Sequence, residues 1–140
     1  MNLTTKGRYG MAAMCELAAK ADEEPMPISQ IAKNLDLSQR YLEQLFRQLK
    51  ASGLVDSTRG AKGGYYLTRK PEDITTGDIL TALEGRIVSV GCQGKECSEV
   101  CEDPDSCLTR PLWMKIQEDV MDIVNSTSLK DLVDKEKDDE

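Results

Sequence analysis

One hundred and forty residues make one compact domain with a modest core, and the absence of histidine excludes Ser-His-Asp and Cys-His nucleophiles and every imidazole-based metal site. Aromatics at 4 % are too few for a base-stacking platform on single strands, and no apolar run approaches the ~20 residues of a membrane span. The net charge of −7 argues against a nucleic-acid partner until the chain is halved: residues 1–70 carry 11 Lys/Arg against 7 Asp/Glu and residues 71–140 carry 7 against 18, a basic front before an acidic rear.

The opening MNLTTKGRYG has no secretory h-region, so the chain reads as soluble and cytoplasmic, with no membrane partner. Tyr9, Ala13 and Leu17, flanked by Met14 and Ala18, mark one face of a helix over residues 5–20, with Thr4 or Thr5 as candidate cap. Cys15 inside it reads as a small buried hydrophobe. Asp22–Pro27 breaks the pattern. Ile28, Ile31, Ala32 and Leu35 then recur at i, i+3, i+4 and i+7, with Ser29 available as N-cap. Only Asp36 and Leu37 separate this short helix from Ser38, another natural N-cap. Leu42, Leu45, Phe46 and Leu49 repeat the pattern up to Gly53 in the C′ place. Two short helices joined so tightly predict a helix-turn-helix.

After Gly53 the period changes. Leu54–Arg59 and Tyr65–Arg69 flank Gly60-Ala61-Lys62-Gly63-Gly64 and predict a β-hairpin with a glycine-rich, basic tip. A helix-turn-helix followed by such a hairpin is a winged helix. Thr75 with Asp78, and Ile74 with Ile79, have the spacings of a capping box and a hydrophobic staple, opening a short helix that stops at Gly85. Arg86–Val90 reads as a brief strand or an extended linker. From Leu108 a last helix carries Trp113, Ile116, Val120 and Ile123 at gaps of 3, 4 and 3, with Leu112 and Val124 widening the stripe. Such a seam suits a partner helix and hence a homodimer; packing on its own domain is the alternative. The charged DKEKDDE beyond Leu132 predicts disorder. The expected fold is therefore mainly α, a winged helix-turn-helix over 1–85 with a long C-terminal dimerisation helix. A cysteine-containing loop spans 86–107, the dimerisation helix and a short segment 108–132, and an acidic tail 133–140.

The free face of the second short helix presents Gln39, Arg40, Glu43, Gln44, Arg47 and Lys50. Arginine and glutamine match guanine and adenine edges with paired donors or acceptors, and glutamate accepts from cytosine N4. Arg47 and Lys50 suit phosphate. Any amphipathic helix has a polar face; the helix-turn-helix spacing and the basic hairpin turn this one toward double-stranded DNA. Ser38 and Tyr41 at its start, and Lys6 and Arg8 at the head of the first helix, complete that set. At the hairpin tip Arg59 and Lys62 fit a narrow minor groove or its phosphate walls, and Gly63-Gly64 let the backbone approach closely.

Cys92, Cys97, Cys101 and Cys107 fall within sixteen residues, in a chain that reads as cytoplasmic, where disulfides are disfavoured and a metal or cluster site is favoured. A zinc knuckle wants a tight Cys-x-x-Cys pair, and none exists here; thiolate ligation in a looser loop suits an iron–sulfur cluster. Zinc stays the alternative.

LTTKGRYG at 3–10, LSQRYLEQLF at 37–46, GLVDSTRGAKGGYYL at 53–67, ITTGDILTALEG at 74–85 and CLTRPLW at 107–113 resemble, in that order, the IscR-like family of bacterial winged-helix regulators. The resemblance implies a homodimer with a crossed dimerisation helix, a pseudo-palindromic operator and a loop cluster, commonly 2Fe–2S. It also implies control, by repression or activation, of genes for cluster assembly, iron or nitrosative and redox stress. The family pattern has three cysteines, the last two separated by five residues and followed by Leu-Thr. It carries over to Cys92, Cys101 and Cys107, with Cys97 as the extra thiol or, under another alignment, the middle ligand. Some relatives use a histidine three residues after the last cysteine, where Arg110 stands here; nitric-oxide-sensing relatives use an aspartate at the place of Arg8. Arginine cannot ligate. The fourth ligand stays open between Cys97 and a remote carboxylate such as Glu43. Cluster-free relatives that sense cysteine metabolism through a partner enzyme lack these cysteines.

Overall fold

The structure, a computed structural model, describes residues 5–20, 24–85 and 108–138. In chain order it places α1 (Thr5–Ala19), α2 (Ile28–Leu35), α3 (Gln39–Ala51), β1 (Val55–Thr58), β2 (Gly64–Leu67), a 3-10 turn at Pro71–Asp73, α4 (Thr76–Glu84), α5 (Arg110–Ser126) and α6 (Leu129–Asp138). This is the mainly helical winged-helix architecture that the sequence predicts. The segment Arg86–Val90 and Cys92, Cys97, Cys101 and Cys107 lie outside the described residues.

Local chemistry sets the helix boundaries. Pro27, extended at φ −62° and ψ 143°, takes the N-cap of α2, so Ser29 falls inside the helix and caps nothing. Proline suits this end because its missing N–H would lack an intrahelical partner anyway. Asp36, at φ 54°, closes α2 in the left-handed conformation, and Ser38 Oγ opens α3 by accepting from Tyr41 N at 3.1 Å. Past α3, Gly53 adopts φ +78°, which a Cβ would disfavour. At α4 both halves of the capping box form: Asp78 N donates to Thr75 Oγ1 at 3.0 Å and Thr75 N to Asp78 Oδ2 at 3.1 Å.

The core lies between the helix-turn-helix and α1. Leu42, Phe46 and Leu49 of α3 are fully buried with Ala13 and Met14 of α1, Ile31 of α2, and Ile74 and Ile79 at the start of α4. Glu84 Oε1 accepts from Gly7 N at 2.9 Å, supplying one of the unpaired amides at the head of α1.

Two features depart from the sequence reading. The charge beyond Leu132 predicts disorder, yet Leu129–Asp138 form a helix. Leu129 is fully buried and Val133 is 8 % exposed, both in the main core, so the core is completed by α6 and does not close at residue 85. A second capping pair starts this helix: Asp131 N donates to Ser128 Oγ at 3.1 Å and Ser128 N to Asp131 Oδ2 at 2.9 Å. The second departure is in the hairpin. β1 and β2 pair antiparallel with Val55 opposite Leu67 and Thr58 opposite Gly64, and Met26 adds a third edge. Tyr65 N donates to Met26 O at 2.8 Å and Met26 N to Tyr65 O at 3.0 Å.

That third edge explains Gly64. A Cβ there would overlap Met26 backbone atoms and meet Pro27 N at 2.6 Å, so this glycine admits the chain's own backbone. Gly64→Ala is expected to cost about 3 kcal/mol, because backbone cannot yield as a side-chain end can. Urea denaturation checks it: an unchanged midpoint would show that the Met26 bridge contributes nothing to holding the wing.

Candidate nucleic-acid interface

α3 directs Leu42, Leu45, Phe46 and Leu49 inward and therefore leaves Gln39, Arg40, Glu43, Gln44, Arg47 and Lys50 on the exposed side. Ser38 is exposed beside them and Tyr41 is half-buried. Among the described residues no carboxylate lies within ion-pair distance of Arg40, Arg47 or Arg59, so their guanidinium groups face water uncompensated. Glu43 Oε1 accepts from Gln39 Nε2 at 3.4 Å, a long bond one helical turn apart. Lys50 is differently placed from the phosphate role expected for it. Its Nζ donates to Ser57 Oγ of β1 at 3.0 Å.

At the wing tip Arg59 and Lys62 are exposed, and Lys62 Nζ lies 3.9 Å from Glu24 Oε1. Both partners are largely solvated, a pair of small net worth. At the other flank, Arg8 is exposed and Lys6 half-buried at the head of α1. Tyr9 departs from its expected place on the core face: it is 39 % exposed and meets Tyr41 edge-on, ring centroids 6.1 Å apart. The position beside Lys6 and Arg8, one turn from the start of the core stripe, is the sequence signal that would have assigned Tyr9 to this surface. Cys15 is half-buried against the core, as a small hydrophobe would be.

α5 stands apart from the rest. None of its 17 residues is buried, although six are apolar in the stripe and its flanks. Val120, Met121 and Val124 pack on Leu80, as does Met11, so Val120 belongs to the inward side and not to a wholly outward seam. Ile116 and Ile123, with Leu112, point away, at 39 %, 64 % and 54 % exposure. Trp113 is half-buried, its Nε1 donating to Thr109 Oγ1 at 3.1 Å. On the solvated side Lys115 is held by Asp119 at 3.1 Å, and that hydrogen bond raises its pKa. The far end of α5 is fixed to α4: Thr76 Oγ1 donates to Val124 O and Thr76 N to Thr127 O, each at 2.8 Å.

Among the described residues no three His, Cys, Asp or Glu side chains converge on a metal-sized site, so Glu43 belongs to no such group there. Arg110 opens α5, half-buried. No helix among the described residues is long and apolar enough to cross a membrane.

A helix-turn-helix with a charged outward face, a basic wing beside it and an outward apolar side on α5 define a winged-helix DNA-binding regulator. The chain belongs to the Rrf2 family, whose model, described as an iron-dependent transcriptional regulator, matches residues 3–135. It is similar to the HTH-type transcriptional regulator IscR of Serratia proteamaculans, at 40 % identity over 95 % of this chain and 79 % of that one. It is similar also to the HTH-type transcriptional regulator CymR of Bacillus subtilis, at 46 % identity over 94 % of this chain and 89 % of that one. Among solved structures, CymR, described as the global cysteine regulator of B. subtilis, superimposes with a TM-score of 0.84 at 44 % identity, covering 96 % of this chain and 97 % of that one. T. potens IscR superimposes at 0.77 with 36 % identity, covering 100 % and 89 %. These relatives are named as transcriptional regulators and not as enzymes, and this chain is a DNA-binding transcriptional regulator.

Proposed function

We propose that the chain is a homodimeric regulator that reads a pseudo-palindromic operator and whose operator choice is controlled by an iron–sulfur cluster, most simply 2Fe–2S. Its target genes would serve cluster assembly, iron or redox stress. The carrying observation is the donor set: four thiols within residues 92–107, in a chain without histidine, between α4 and α5 of an Rrf2 winged helix. Thiolates alone fit iron–sulfur ligation. Cys92, Cys101 and Cys107 would hold the group, with Cys97 as fourth ligand or as the middle one; bound there, the group would supply a redox-sensitive tie between these cysteines. Arg110 and Arg8, at the places where relatives put a protein ligand, cannot replace Cys97 in that role. Similarity to CymR favours a second reading, a regulator of the same fold with no cluster, or with zinc, acting on cysteine genes. Anaerobic purification with an absorption spectrum and iron, sulfide and zinc analysis separates the readings. Iron and sulfide in equal amounts support the cluster, zinc alone or no metal the second reading.

On the DNA side, Ser38, Gln39, Arg40, Tyr41, Glu43, Gln44 and Arg47 would enter the major groove, and Arg59 and Lys62 the minor groove or its walls. Lys6 and Arg8 would meet backbone. Gln44→Ala is expected to relax preference at one base position, at a cost of about 1–3 kcal/mol on the selected site. Arg59→Ala should weaken all sequences and reduce the salt slope. Equal losses on specific and random DNA for Gln44→Ala would overturn its base-reading role.

A further inference from the structure

Lys50 separates from the other cations of the recognition helix by what it touches. It lies in the last turn of α3, and its Nζ reaches β1, donating to Ser57 Oγ at 3.0 Å and lying 3.7 Å from Asp56 Oδ1. Asp56 Oδ1 also accepts from Ser57 N at 2.8 Å, so the two wing groups that receive the ammonium are themselves tied together. The chain between them makes this possible. Gly53 and the Leu54 N to Leu49 O bond of 3.1 Å fold the strand back along the end of the helix. β1 then leads directly to Arg59 at the wing tip. Its partner strand β2 is held on the opposite side by the Met26 bridge, so the wing is fastened along both edges, to α3 by Lys50 and to the segment before α2 by Met26.

A lysine that binds phosphate needs its ammonium free to reach outward. Here the ammonium is turned onto the wing, although Arg40 and Arg47 on the same helix have no such partner among the described residues. We propose that Lys50 is a positioning residue: it makes no DNA contact of its own and holds the wing at a fixed offset from α3. Arg59 and the base-reading side chains then meet their two grooves in register. The proposal rests on the reading that the wing engages DNA through Arg59. Lys50 and Asp56 are each about half exposed, at 49 % and 51 %, so the effect is a few-fold and not orders of magnitude.

The test uses the full chain, with affinities measured against salt on the tightest duplex recovered by selection from random DNA and on a random duplex. Lys50→Met and Asp56→Asn change the net charge in opposite directions, and the asparagine keeps the acceptor that Ser57 N uses. A long-range electrostatic role therefore predicts opposite effects; a positioning role predicts the same one. Both variants are expected to keep the urea midpoint and to weaken the selected duplex about three- to fivefold, because base contacts there fix α3 and the wing must meet its groove in register. On random DNA no base contact fixes α3, so Arg59 still finds the backbone, and affinity and salt slope should stay unchanged. Lys50→Arg should restore affinity. In an Arg59→Ala background, Lys50→Met should have no further effect, because it acts through the wing. A salt slope lowered by about 0.9, with both duplexes weakened alike, would make Lys50 a phosphate contact and overturn the proposal. So would tighter binding by Asp56→Asn, or losses that add in the double variant. An Arg59→Ala variant that binds both duplexes as the parent does would remove the wing reading first, and the proposal with it.

Discussion

Ile116→Asp combined with Ile123→Asp is expected to give a folded monomer whose operator affinity falls by about 10²–10⁴-fold. Both side chains face away from the body of the protein, at 39 % and 64 % exposure, so removing them takes little from the fold of one chain. In a two-fold dimer each would be buried twice, once per protomer, and full burial of such a side chain contributes about 1.5–3 kcal/mol. A carboxylate in its place must be desolvated or must hold the helices apart. The affinity loss then follows from geometry. Two recognition helices in one dimer address half-sites about 34–36 Å apart, and the second docks at the effective concentration set by the first. A monomer has only one half-site. Light scattering at micromolar concentration with a urea titration checks both parts. Val120→Asp serves as the contrast, because Val120 packs with Leu80 inside its own chain and should lower the urea midpoint as well. A dimeric mass for the Ile116/Ile123 variant, or a monomeric mass for the unaltered chain, would overturn this assignment of the outward stripe.

What the sequence showed clearly was local. Ser38, Gly53 and the Thr75–Asp78 pair act within a few residues, and each forms the bond or backbone conformation expected of it. The helix-turn-helix followed from those punctuation residues together with a strong 3.6-residue period in α2 and α3. Elements set by distant parts of the chain were less legible. The Met26 edge is a single backbone pairing with no alternation to announce it. Lys50 chooses between phosphate and wing only once β1 has folded back along α3. Val120 lies on one stripe with Ile116 and Ile123, yet contact with Leu80 divides that stripe into an inward and an outward side. The α6 helix is a different case. Ser128 and Asp131 repeat the capping chemistry of Thr75 and Asp78, and Leu129 and Val133 supply an apolar pair four residues apart, but the flanking run of charge masks both signals.

Replacing Cys92, Cys101 and Cys107 by alanine is expected to change which DNA the protein selects, and Glu43 is the residue through which the change should be read. A carboxylate facing a polyanionic groove costs affinity unless a cytosine amino group donates to it, so its value lies in rejecting sites without that partner. Among the described residues Glu43 has only the long bond from Gln39, 3.4 Å, which a base can displace. Residues 86–107 lie in sequence between α4, which packs on α1 and α3, and α5, the candidate dimer helix. In a dimer, a ligand that ties Cys92, Cys101 and Cys107 together could therefore bias both the recognition helix and the spacing of its twin, provided that it binds the two arrangements unequally. Selections from random DNA should be run with holo protein, with the triple-cysteine variant, and with that variant carrying Glu43→Ala. The first two are expected to return different motifs. The third should accept sites the second refuses, with discrimination at the cytosine position reduced by about 1–3 kcal/mol, roughly five- to more than a hundredfold. Identical motifs from all three proteins would remove both the gating role of the cysteines and the discriminating role of Glu43. A motif that changes only with Glu43→Ala would keep the direct readout and assign the chain to the cluster-free reading.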